Sequence, residues 1–117
     1  MEENVFVVEP PEYEVAGQDV KKQEIKSDTI KIYYRKNAVL TIKPLPQHEK
    51  IYITSNGDIP TNQDAQREVK QDSYVFETSE NKTVKFAAAD KEGRYSKVIT
   101  IILETEEKKY EVNYKKP

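Results

Sequence analysis

"IYITSNGDIPT", Ile51 to Thr61, is the stretch that decides the fold. Ile51 and Ile53 alternate with Tyr52 and Thr54, the period of a half-buried strand. Asn56-Gly57 follows, and both residues tolerate the positive φ of a tight turn. Pro60 then fixes the exit direction, because it has no N–H to lend to a ladder. The phrase reads as a strand running into a sharp corner.

The same grammar extends in both directions. Thr29–Tyr34 sets Ile30, Ile32 and Tyr34 against Thr29, Lys31 and Tyr33. Ala38–Lys43 sets Leu40 and Ile42 on one face, and Lys82–Asp90 does the same with Val84, Phe86 and Ala88. Tyr95–Glu104 is long and β-branched, and Lys109–Lys115 alternates Tyr110, Val112 and Tyr114 with charge. Val5–Glu9 and Tyr13–Val15 add strand signals near the N-terminus. Arg35-Lys36-Asn37 reads as a short connection between two strands, and Pro44 and Pro46 bracket a bend. Asp90 to Gly93 is a second glycine corner. Gln18–Ser27 is charged and reads as a loop. Thr61–Tyr74 is polar, with Ala65 and Val69 able to support a helical turn at most, and reads as a surface connection. These elements predict an all-β chain: an immunoglobulin-like or fibronectin III-like β-sandwich of about seven strands over residues 29–117, with 1–28 as a strand and loop leading into it.

Composition agrees. The chain has 117 residues, 36% of them hydrophobic and 34% charged. Average domains are ~45–50% apolar and ~25% charged, so a thin core under a charged surface is expected. There is no cysteine, which excludes disulfides, thiolate metal sites and thiol nucleophiles. The net charge of -2 argues against a general nucleic-acid binder. Val98–Leu103, the longest apolar run and broken by Thr100, is far short of the ~20 residues of a membrane span. The acidic N-terminus does not read as a secretory signal peptide.

The search for chemistry finds corners rather than centres. His48 is the single histidine and lies in a proline bend. None of the five serines sits in a GxSxG elbow, so no triad is legible. The loop acids Asp58, Asp64, Asp72 and Asp90 lie in polar segments that would leave them solvated. A calcium site would have to use Asn56 with Asp58, or Asp90 with Glu92, yet neither segment carries the DxDxDG ladder. Three glycines cannot build a phosphate loop. No cofactor, metal or catalytic residue is therefore expected. The eight tyrosines are more suggestive: Tyr33, Tyr52 and Tyr110 have polar strand neighbours and could offer exposed rings to a glycan or a protein.

"KIYITSNGDIPT" with "NKTVKFAAADKEGRYSKVIT" resembles the chitobiase/β-hexosaminidase C-terminal-type module, an immunoglobulin-like repeat of bacterial surface and secreted proteins. Ile51, Tyr52 and Thr54 match its strand, and Asn56-Gly57 stands where Asp-Gly is usual. Pro60-Thr61 match the closing phrase. Thr83, Lys85, Ala88, Asp90, Gly93 and Ser96 match its second half. Phe86 replaces a small residue, and the match covers residues 39–103. The resemblance implies a sandwich whose Asn56, Gly57, Pro60, Asp90 and Gly93 shape turns, with no catalytic residue. It implies an accessory or spacer role beside neighbouring domains of an extracellular or cell-surface polypeptide. If Met1 is the native start, a cytoplasmic location is expected instead. A carbohydrate- or protein-binding module and a virion or phage decoration domain are the alternatives.

Overall fold

The computed structural model describes residues 8–106. Seven strands follow in order: β1 (Glu12–Lys26), β2 (Thr29–Lys43), β3 (Lys50–Thr54), β4 (Glu68–Lys70), β5 (Tyr74–Thr78), β6 (Lys82–Ala89) and β7 (Ile99–Thr105). The described chain is all-β, with no helix among these elements. The strands form one mixed sheet in the order β1-β2-β7-β6-β3-β4, and β5 adds to β2 off that path. All pairings are antiparallel except β2 with β7, where Thr29–Tyr34 run parallel to Thr100–Thr105.

The long hairpin of β1 and β2 organises everything else. Its ladder is interrupted in the middle. Gly17 faces Ala38 and Gln18 faces Arg35, so β2 carries two extra residues there; Gln18 to Lys21 then spans three steps against two on β2. Lys36 (φ 70°) and Asp19 (φ 55°) both take the left-handed conformation at this crease. An Arg35 Nη1–Asp19 Oδ2 contact of 3.3 Å crosses it, and Asn37 Nδ2 donates to Glu77 Oε2 at 2.9 Å beside it.

The crease folds the sheet onto itself. Lys22 Nζ lies 5.6 Å from the Tyr13 ring centroid. A straight strand would separate residues nine apart by about 30 Å. Tyr13 also meets the edge of Phe86 on β6, at 6.0 Å between centroids and 62° between planes, although β1 and β6 are not ladder neighbours. The core accordingly draws from both limbs. Ile32 and Tyr34 come from the first half of β2, and Ala38, Leu40 and Ile42 from the second. Ile51, Ile53, Val84, Phe86, Ile99, Ile101 and Leu103 complete it. Fully burying one such aliphatic or aromatic side chain stabilises by roughly 1.5–3 kcal/mol.

Several expectations need correction. The supposed loop Gln18–Ser27 is the second half of β1 up to Lys26. It lacks hydrophobic alternation because it is an edge strand held by its backbone ladder to β2, with Val20 alone packing against the core and the rest exposed. The sheet therefore starts at Glu12, not at Thr29. Arg35-Lys36-Asn37 is no connection; the strand passes through it with a bulge. The last long strand begins at Ile99, because Tyr95 makes only an isolated bridge to Ala89. Residues 61–74 hold turns and the short β4 rather than a helical turn. The strands anticipated at Val5–Glu9 and Lys109–Lys115 lie wholly or mostly outside the described residues.

Candidate functional site

The "SNGDIPT" corner is built from its own side chains. Asn56 Oδ1 accepts the Asp58 N–H at 3.0 Å, and Thr54 Oγ1 donates to the Asp58 carbonyl at 2.7 Å. Asp58 Oδ2 accepts from Asn56 Nδ2 at 3.3 Å and from the Gln66 N–H at 3.2 Å. Gly57 takes φ 94°, which an L side chain rarely adopts. Pro60 is buried, and its carbonyl accepts from Arg67 Nη1 at 2.8 Å. That same guanidinium lies 4.3 Å over the Tyr52 ring, while Tyr95 meets the ring edge at 5.7 Å. Beside this clamp runs a shallow groove of about 320 Å³, lined by Thr54, Asn56, Arg67 and neighbours.

The second corner is centred on Asp90, whose side chain is 8% exposed. Its Oδ1 accepts the Glu92 and Arg94 N–H groups at 3.1 and 2.9 Å, and its Oδ2 accepts Arg94 Nε at 2.8 Å. Gly93, at φ 80°, donates its N–H to the Asp90 carbonyl. Burial pushes the carboxyl up, but the Arg94 backbone and side-chain hydrogen bonds, the Arg94 charge and the Glu92 N–H outweigh it and hold Asp90 below its usual range. Ser96 is likewise committed: its Oγ accepts the Ala88 N–H at 2.9 Å and donates to the Lys97 carbonyl.

These geometries decide what the residues can do. A carboxylate saturated by its own turn has few lone pairs left for a cation or a substrate. Among the described residues no three His, Cys, Asp or Glu side chains gather where an ion could sit. No described helix is long and apolar enough to cross a membrane. His48 is fixed by both ring nitrogens, on Leu45 and Glu9.

The tyrosines part company. Tyr52 is 9% exposed and capped by Arg67 and Tyr95, so it offers no free ring. The sequence suggested exposure because the neighbours of Tyr52 along the strand are polar, and it gave no sign of the clamp formed from residues 15 and 43 positions away. Tyr33 is half-buried on the face of β2 opposite Ile32 and Tyr34. Lys31 Nζ lies 5.4 Å from its centroid and 3.1 Å from Glu104. The Glu104 and Tyr33 contacts raise Lys31 above the ordinary lysine value. Tyr110 lies outside the described residues. Arg67, Arg94 and Tyr95 are the site-shaping residues that sequence reasoning missed. Only Arg94, four residues after Asp90, carried a local signal.

No family model, no curated protein and no solved structure matches this chain.

Proposed function

We propose that this chain is a non-catalytic immunoglobulin-like module that spaces and orients neighbouring domains of a bacterial extracytoplasmic polypeptide. The observation that carries the reading is that both oxygens of the Asp90 carboxylate are engaged by its own turn, and that Asn56 and Asp58 brace the other corner against itself and Gln66. A scaffold needs such saturation, whereas a reactive centre needs unsatisfied groups.

The connectivity supports the sandwich. One limb of the folded sheet holds the first half of β1, the second half of β2, and β5. The other holds the first half of β2 with β7, β6, β3 and β4. Taken as strands A, B and E facing G, F, C and C′, this is fibronectin III-like order with an inserted hairpin at residues 18–36. The chitobiase-type resemblance over residues 39–103 points the same way, since such modules accompany enzymes and adhesins without reacting.

The test is exchange within the full reading frame. Replacing residues 8–106 by an unrelated sandwich of similar end-to-end length is expected to preserve the parent protein's activity, and deleting them to impair it. Loss on exchange, reproduced by Tyr33→Ala alone, overturns the spacer and favours a binding module. That second reading has one specific support: the half-exposed Tyr33 ring beside Lys31, where a sugar face or an acidic group could lie.

A further inference from the structure

Ahead of β1 the chain runs as a strap, Val8 to Pro11, across the turn that joins β2 to β3. Val8 is 1% exposed and Pro11 is buried. Pro10 and Pro11 lack N–H groups, so this segment cannot hold itself by a backbone ladder. Two consecutive side chains substitute for one. Gln47 Oε1 accepts the Glu9 N–H at 3.0 Å, and His48 Nε2 lies 2.6 Å from the Glu9 carbonyl.

The far side of the imidazole fixes its protonation. The Leu45 N–H donates to His48 Nδ1 at 2.8 Å. A backbone N–H is only ever a donor, so Nδ1 presents a lone pair. Nε2 must then carry the proton and donate to the Glu9 carbonyl. The ring is the neutral Nε2–H tautomer, and one nitrogen reads the turn while the other reads the strap.

We propose that His48 is a proton-sensitive latch: protonation of its Nδ1 sets two N–H groups against each other at Leu45, turns the ring out, and releases the Val8–Pro11 strap from the domain. The proposal stands on the ring's two contacts and goes beyond the spacer reading. Among the described residues, these charged groups flank the latch in chain or space. Glu9 lies on the strap itself, and Glu49 and Lys50 follow the ring on its own segment. Asp90, paired with Arg94, sits at the end of β6, where the Ala89 carbonyl accepts the Glu49 N–H. Lys43, paired with Glu14, closes β2. Release uncovers Val8, which the folded strap keeps 1% exposed. Covered and uncovered states then differ in one proton.

Nuclear magnetic resonance on the intact chain tests this. Solvent exchange of the Glu9 amide, corrected for its intrinsic pH dependence, is followed from about pH 8 to about pH 5.5. Acceleration of about tenfold is expected, the equivalent of one lost hydrogen bond. Core amides such as those of Ile101 and Phe86 should stay protected. His48→Gln keeps an N–H donor toward Glu9 but has nothing to titrate; its Glu9 exchange should be pH-independent. His48→Ala should exchange fast at both ends of the range. The idea fails if the wild-type Glu9 amide remains protected in acid. It also fails if the acceleration persists in His48→Gln, or if core amides accelerate in step.

Discussion

Gly17→Ala probes the crease that folds the sheet. Gly17 does not adopt positive φ, so its value is space. A Cβ there would stand 2.8 Å from the Asn37 carbonyl oxygen, 3.3 Å from Val20 Cγ2 and 3.4 Å from Ala38 Cα. The first distance lies well inside van der Waals contact, and the obstructing atom is backbone. Yielding would require the two halves of the hairpin to move apart where β2 changes direction. Overpacking of this kind costs about 1–3 kcal/mol. Against it, alanine in place of glycine ordinarily gains about 0.5–1 kcal/mol through the unfolded chain. The steric term wins, leaving a net loss of about 1–2 kcal/mol. At about 4–8 °C per kcal/mol for a domain near this size, the melting temperature should fall by about 5–15 °C. Differential scanning calorimetry reads this directly, and near-ultraviolet circular dichroism follows Tyr13, which packs across the fold. Adding Val20→Ala relieves the softer contact but not the carbonyl, so the double variant should recover little. A Gly17→Ala chain that melts at or above wild type would refute the close approach and with it the crease.

Three other substitutions have expected outcomes. Asp90 titrates below its unfolded value, so its contribution to stability is fully present above a pH of about 4 and is lost as pH falls through the lower folded value. Asp90→Asn should lower the neutral-pH melting temperature and flatten its acid decline. Glu14→Gln should change little, because that ion pair with Lys43 is exposed and screened; equal acid slopes for wild type and Asp90→Asn would count against the buried corner. Tyr34 is fully buried, and its hydroxyl donates to the Glu80 carbonyl at 2.6 Å. That carbonyl also accepts from Thr78 Oγ1 at 3.2 Å, so Tyr34→Phe does not orphan it. A loss of about 1 kcal/mol in urea titration is expected, and a loss near 3 would mean the carbonyl has no adequate second donor.

What the chain declares about itself is local. Alternation in Thr29–Tyr34, Ala38–Lys43, Lys50–Ser55 and Lys82–Asp90 fixes strands and their buried faces, because a period of two is a one-dimensional property of a pleated ribbon. Asn56-Gly57 and Asp90 to Gly93 announce their corners for the same reason: a turn and the side chain that satisfies it lie within five residues. Tertiary structure decided the rest. Gln18–Lys26 is a strand only because β2 offers a ladder beside it, and its one core-packed residue, Val20, is too little to mark a period. Arg35–Asn37 carries β2 from one limb to the other rather than ending it, since the bulge residues of two strands meet at one crease. Tyr52 is covered because Arg67 and Tyr95 converge on it from distant segments. His48 is tied to Glu9 across 39 positions, a distance that spacing along the chain cannot convey. Hydrogen bonds and ring contacts depend on proximity in three dimensions, and only the folded sheet supplies it.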